Sequence, residues 1–313
     1  MTATGLAALS LAASRFAGRN SGVLRPEVLL DWYAAAARDL PWRVPGISPW
    51  AIMVSEVMLQ QTPVARVLPV WTTGMDRWPD PGALAGATPA DALRSWGRLG
   101  YPRRALRLRA AAGQILTRFD GSVPATVEEL ESLPGIGAYT ARAVAAFAFG
   151  ARTPVVDTNV ARVLARAVHG RARAGPSVSH ADRAGLESLL PTVPARAAAF
   201  SVAVMELGAL VCTAVAPACT TCPIRADCAW QRAGRPAYDG PRRAPQRFEG
   251  TDRQVRGLLL DVLRGTSEPV ELNEFAGACS DDGQRSRALD SLLVDGLVEQ
   301  LADGRFVLTG ESE

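Results

Sequence analysis

The chain has 313 residues, of which 48% are hydrophobic and 21% charged, and a net charge of +3; this suits two or three compact lobes and excludes a chain disordered throughout. All 34 basic residues are arginine, which excludes lysine Schiff bases, pyridoxal phosphate anchoring and Walker-type phosphate lysines. Residues 1–250 carry 28 Arg against 18 acidic residues, whereas the last 63 carry 6 against 13, so a basic body suited to a polyanion is followed by an acidic tail domain.

Residues 1–24 are rich in Ala, Ser and Gly without sustained periodicity and read as a loose N-terminal arm. The apolar stretch Gly5–Ala13 is too short to span a membrane and lacks a preceding basic region, so the expected location is cytoplasmic. From Pro26 onward apolar residues recur at helical spacing in 26–39, 50–60, 62–76, 88–99, 103–119, 126–132, 138–149, 156–168, 180–190, 196–211 and 223–232, with Pro and Gly at the joints. Alternating strand-like runs are nearly absent before residue 250. The fold class expected is therefore all-α, which disfavours a parallel-sheet nucleotide fold.

Residues 233–250 contain Gly234, Pro236, Gly240, Pro241 and Pro245 and read as a linker. Beyond it, Asp252–Arg264 and Gln284–Asp295 have helical patterns, and Leu297–Leu301 and Arg305–Leu308 flank Asp303-Gly304, a pair favoured in tight hairpins. Residues 251–313 thus read as a small winged-helix-like α+β module.

Cys212, Cys219, Cys222 and Cys228 lie in one short segment. In a reducing compartment they read as four thiolate ligands of one centre, zinc or iron-sulfur. Only Cys219 and Cys222 form a close pair, whereas structural zinc sites often have two, which favours a 4Fe-4S cluster. Arg225 and Arg232 put positive charge beside this loop. The turn Leu133-Pro134-Gly135-Ile136-Gly137 joins two helical segments: its glycines permit a tight turn, and the helix that follows adds its positive dipole, a combination that suits a phosphate of a nucleic-acid backbone.

Five motifs then occur in a telling order: Ser55-Glu56-Val57-Met58-Leu59-Gln60-Gln61-Thr62, the hairpin, Val156-Asp157-Thr158-Asn159-Val160-Ala161-Arg162-Val163, Met205-Glu206-Leu207-Gly208, and the four-cysteine loop. From about Asp39 to Trp230 the chain resembles the helix-hairpin-helix DNA glycosylases, and most closely the MutY-type adenine glycosylases, which act on adenine opposite 8-oxoguanine. The resemblance implies two lobes with mismatched double-stranded DNA in the cleft between them. One is a helical lobe of residues 48–156 with the hairpin; the other is a cluster lobe of 25–47 plus 157–232. It also implies a monomer carrying a 4Fe-4S cluster on Cys212, Cys219, Cys222 and Cys228.

Glu56 sits on an apolar helical stretch, where desolvation raises a carboxyl pKa and keeps a proton available. By resemblance Glu56 protonates N7 of adenine, and Asp157 stabilises the oxocarbenium character left on the sugar; Asp157 is equally placed to cap the helix after it. Asn159 matches a family asparagine near the sugar, with helix capping as its competitor. Tyr139 stands where the endonuclease III pattern has a strand-cleaving lysine, which points to a monofunctional enzyme leaving an abasic site. Tyrosine here also occurs in a thymine mismatch glycosylase, so a thymine or uracil glycosylase stays open, as does a non-catalytic damage-binding protein.

For the extruded adenine the resemblance offers Trp42, Arg43, Leu59 and Glu206, and for DNA contact Gln61 and Tyr101 as a wedge, with Leu133, Gly135 and Gly137 in the hairpin. Arg103, Arg104, Arg107 and Arg109 either meet phosphates or line a solvated helix face. Ala161 replaces a family lysine that traps the sugar. The family's long members carry a NUDIX-like domain that reads 8-oxoguanine, and the residues after Gly250 are too few and too acidic to form one.

Overall fold

A computed structural model describes residues 24–240 and 247–311. The arm expected at 1–24 therefore lies outside the described residues save Leu24, as does the middle of the expected linker.

The chain begins with α1 (Pro26–Ala36), a 3₁₀ turn at Pro41–Arg43, and α2 (Pro49–Leu59). In α2 every residue from Trp50 to Met58, Ser55 and Glu56 included, is buried, so the helix runs through the core rather than over it. Ser48 caps it by accepting the Ala51 amide at 3.1 Å. Then follow α3 (Val64–Arg77), α4 (Pro81–Ala85), α5 (Pro89–Trp96), α6 (Arg103–Arg118), α7 (Val127–Glu131) and α8 (Ala138–Phe149). The short α4 escapes an apolar-period reading because it is one turn held by the Asp80 cap and Pro81 at its first position.

The second half supplies α9 (Thr158–Ala167), α10 (His180–Leu189), α11 (Pro194–Leu210) and α12 (Ala229–Arg232). Helix is expected from residue 223, but only the last turn forms; residues 223–228 make the cysteine loop instead.

Two buried cores divide the molecule. The first joins α2 to α8 and also takes in Leu40 and Trp42; the second joins α1, α9, α10 and α11 with Ile224, Cys228 and Trp230. A small seam of Ala143, Ala146, Val155 and Ala198 links α8 to α11. The segment 25–47 is thus shared, its helix belonging to one core and its 3₁₀ turn to the other.

Residues 251–311 form α13 (Asp252–Arg264), a 3₁₀ turn at Leu272–Gly277, α14 (Asp282–Val294), and the antiparallel pair β1 (Val298–Gln300) and β2 (Phe306–Leu308), in register Val298 to Leu308. This module is not a bead on a linker. Val255, Leu259, Leu260 and Leu263 of α13 belong to the same buried core as α2 to α8. Arg94 donates to the Thr266 carbonyl at 2.6 Å and pairs with Glu311 at 2.5 Å, and Arg264 donates to the Leu93 carbonyl at 3.0 Å. Three acids of the tail, Asp261, Asp295 and Glu311, pair with Arg98, Arg103 and Arg94 of the body. No described helix is long and apolar enough to cross a membrane.

Candidate active site

Glu56 lies one turn from the end of α2 and is 7% exposed. Burial pushes its carboxyl up to about 7; the Tyr139 hydrogen bond and the Arg43 charge work against that, and the charge of Asp157 adds to it. Tyr139, at the start of α8, is itself held well above the usual phenol range, first by burial and then by the negative charges of Glu56 and Asp157. The α2 and α8 ends are tied together by the Gln60 amide donating to Thr140 Oγ1 at 2.9 Å.

Asp157 caps α9: its Oδ1 accepts the Val160 amide and its Oδ2 the Asn159 side-chain amide, both at 2.7 Å. Burial raises its pKa, while these hydrogen bonds and the Arg162 charge favour the anion. Capping and proximity to Glu56 thus fall on one residue. Asn159 is oriented from behind, since Arg162 Nη2 donates to its Oδ1 at 2.7 Å while the same guanidinium donates to the carbonyls of Gly208 and Cys212 at 2.7 Å. Gly208 is glycine for a steric reason: a Cβ there would come within 2.8 Å of both the Cβ and the carbonyl oxygen of Asn159. Methionine-glutamate-leucine-glycine is in this sense a packing motif beneath the site.

The expected base-contacting residues have distinct placements. Trp42 is 6% exposed and stacks edge-to-face on Trp71 at 5.4 Å, so it belongs mainly to the core. Leu59 is half-buried at the end of α2. Glu206 is fully buried, and both its oxygens are engaged: Arg38 donates to it from its backbone amide, Nε and Nη2 at 3.0, 2.7 and 2.6 Å, and Arg43 Nη2 at 2.9 Å. Despite burial, these partners pull its carboxyl down to about 2. Glu206 therefore orients Arg43, whose Nη1 is buried with no partner among the described residues and whose charge reaches Glu56. The sequence gives no sign of Arg38, because it lies 168 positions from Glu206.

Gln61 and Tyr101 meet at the surface, with the Tyr101 hydroxyl donating to Gln61 Oε1 at 2.8 Å. Both have positive φ, 57° and 49°, strained for side-chain-bearing residues and sustained only where neighbours over-determine the backbone. The neighbour is Arg104. It does not face a phosphate as expected: its buried guanidinium donates to the carbonyls of Val57, Met58, Gln60 and Gly100 and to Thr62 Oγ1 at 2.6 to 3.1 Å. Desolvation lowers its pKa to about 10. One side chain thus fastens the end of the Glu56 helix to the segments that carry Gln61 and Tyr101. Arg103 pairs with Asp295 at 3.0 Å, and Arg109 donates to the Ala87 carbonyl at 2.5 Å.

In the hairpin, Leu133 and Ile136 are buried and anchor the turn, while Gly135 takes φ 78° with Arg107 packed where a Cβ would project. Gly137 precedes the N-terminus of α8 and opens to solvent.

Cys212, Cys219, Cys222 and Cys228 all line one small pocket, together with Val163, Leu207 and Trp230. Among the described residues no three His, Cys, Asp or Glu stand close enough to hold a single metal ion. Burial, with the neighbouring thiols, pushes Cys222 up to about 11. The donor set is four thiols around an apolar chamber, which fits a multi-iron cluster bound through thiolates. Arg166 braces the loop, donating to Thr213 O at 2.7 Å and to Cys212 Sγ at 3.4 Å.

Residues 54–186 match the HhH-GPD superfamily of base excision DNA repair proteins. An adenine DNA glycosylase of Mycolicibacterium smegmatis is 57% identical over 291 residues, covering 93% of this chain and 98% of that protein. The chain belongs to the adenine DNA glycosylase family. A thymine/uracil-DNA glycosylase of Pyrobaculum aerophilum is 32% identical over 203 residues, covering 63% of this chain and 87% of the other. The solved structure of a thermostable thymine-DNA glycosylase, at 24% identity and TM-score 0.59 over 66% of this chain and 95% of that one, shares the fold.

Proposed function

We infer that this family member is a monofunctional base-excision glycosylase that hydrolyses adenine from DNA, with adenine opposite 8-oxoguanine as its preferred mismatch and adenine opposite guanine as a second. The observation that carries this reading is Glu56, a buried carboxyl titrating near 7 against Tyr139 and Asp157 in a chain far more similar to an adenine glycosylase than to a thymine/uracil one.

DNA lies in the cleft between the two lobes, with the Leu133–Gly137 turn on a phosphate and the Gln61 and Tyr101 pair entering the stack beside the extruded nucleotide, whose unstacking costs a few kcal/mol. Leu59 and the margin of Trp42 line the base pocket, and the unpartnered Arg43 Nη1 is a donor at its edge. Glu56 transfers its proton to adenine N7, and Tyr139 holds the carboxyl in place. The glycosidic electron pair leaves with the base as the C1′–N9 bond breaks. Asp157, steadied by Asn159, stabilises the cationic sugar until water adds at C1′, its proton passing to solvent or to the Glu56 carboxylate. The product is free adenine and an abasic site. With no lysine in the chain, no lysine imine forms and the strand stays intact.

Cys212, Cys219, Cys222 and Cys228 would hold a 4Fe-4S cluster, which would fix the loop carrying Arg225, with Arg232 on α12 just beyond it. Through the Arg162 bridge that loop is continuous with Asn159. The enzyme acts as a cytoplasmic monomer on the DNA. A single-turnover panel tests the reading. Duplexes pair adenine with 8-oxoguanine, guanine or thymine, and guanine with thymine or uracil. Adenine release fastest opposite 8-oxoguanine is expected; release of thymine or uracil with adenine untouched contradicts the assignment.

A further inference from the structure

Two acids of the C-terminal module, Asp261 and Asp295, pair with arginines on either side of the loop at whose tip Tyr101 stands. Tyr101 is 48% exposed and left-handed in backbone. On one side of it, Arg98 Nε pairs with Asp261 at 2.7 Å; on the other, Arg103 Nη1 pairs with Asp295 at 3.0 Å. Neither acid stands alone, because Asp295 also binds Arg256 at 2.5 Å and Asp261 binds Arg264 at 3.2 Å. Arg264 in turn donates to the Leu93 carbonyl of α5, and Arg66 donates to the Arg98 carbonyl. The far end of the module is seated equally firmly, with Gly310 against Pro89 so closely that a Cβ would come within 2.7 Å of its ring.

We propose that the C-terminal module is a positioning platform for the wedge: Asp261 and Asp295, acting through Arg98 and Arg103, hold the Tyr101 loop in the shape that reads the base opposite the excised adenine. This deepens the reading above and rests on it for the opposite base. The physical need is plain. A wedge must resist the push of the base stack closing behind it, and a loop bent into an unfavourable backbone conformation relaxes unless braced from more than one side. Arg104 braces it from the body. The module supplies the second support, with isolated exposed pairs worth little but linked pairs worth more. Asp261 and Asp295 are positioning residues, since they touch no reacting atom.

The test uses the full chain carrying Asp261→Ala and Asp295→Ala together, with Asp295→Glu as the conservative control. In the absence of DNA, hydrogen exchange at the Leu99 and Arg104 amides, which bond to Trp96 O and Tyr101 O, is expected to quicken about fivefold, while the amides of α9, in the other core, keep their rates. The ratio of single-turnover rates for adenine opposite 8-oxoguanine over adenine opposite guanine is expected to fall about 3- to 10-fold, and Asp295→Glu to keep it. Unchanged exchange overturns the proposal. So does tighter binding to undamaged duplex with the rate ratio intact, which means the acids merely compete with phosphates for Arg98 and Arg103. Faster exchange in a protein whose wild type shows no opposite-base preference supports the brace and refutes only the opposite-base reading.

Discussion

Replacing Glu56 with glutamine separates chemistry from stability with opposite signs. In the folded chain the carboxyl titrates near 7 against an ordinary value of 4.5, so below about pH 4.5 it is protonated in both states and costs nothing. As pH rises from 4.5 to 7 the unfolded chain releases its proton first, and stability falls; above 7 the full cost persists. A displacement of about 2.5 pH units at about 1.4 kcal/mol each makes that cost about 3 kcal/mol. Glutamine carries no such charge, so Glu56→Gln is expected to be more stable than wild type by up to about 3 kcal/mol at pH 8 and equal to it near pH 4.5, read by urea unfolding at several pH values. At the same time it lacks a transferable proton, and base release falls by at least about 100-fold, with duplex binding retained. A stability gain independent of pH, or base release near the wild-type rate, refutes the reasoning.

Three further outcomes follow from named contacts. Arg104→Met strands the carbonyls of Val57, Met58, Gln60 and Gly100 and is expected to cost at least about 2 kcal/mol in urea unfolding. Gly208→Ala presses a methyl to 2.8 Å from Asn159; a loss of about 1 to 3 kcal/mol in thermal unfolding is expected, with slower base release because Asn159 moves. Glu206→Gln leaves Arg38 and Arg43 without their counter-ion at about 3 kcal/mol, the lower end for a buried pair because Arg38 is about one-third exposed. That contribution is present above the ordinary carboxyl value and vanishes as pH falls toward 2, so wild type and variant are expected to converge in acid.

What was legible in the sequence was whatever depends on neighbours in the chain. The apolar run around Glu56 announces a buried helix, and burial alone accounts for most of the rise in its pKa. Asp157 before Val160–Val163 announces a cap, and the cap is formed. The ends of α13 are legible to the residue, because Thr251 caps it and Gly265 closes it. What was hidden depends on partners far along the chain. Arg104 reads as one more arginine on a basic helix, and only the approach of residues 57 to 62, more than forty positions away, turns it inward. Arg38 meets Glu206 across 168 positions, which moves Glu206 from a base contact to the support of Arg43. The acidic excess after Gly250 was visible and reads as repulsion from phosphate; three of those acids, Asp261, Asp295 and Glu311, instead pair with arginines of the body.

The docked module also changes how the tail can be tested. Truncation after Gly250 exposes the face of the core that Leu259, Leu260 and Leu263 cover, so point substitution of Asp261 and Asp295 is the cleaner perturbation.

The central claim, proton transfer from Glu56 to adenine followed by hydrolysis without strand cleavage, is tested most directly by one single-turnover measurement. A duplex with adenine opposite 8-oxoguanine is incubated with excess enzyme, and each time point is split, one half analysed directly for free adenine and strand length and the other after hot alkali. Wild type is expected to release adenine with the strand intact until alkali is added, and Glu56→Gln to release almost none. Strand breaks before alkali, or equal adenine release by the variant, contradict the account.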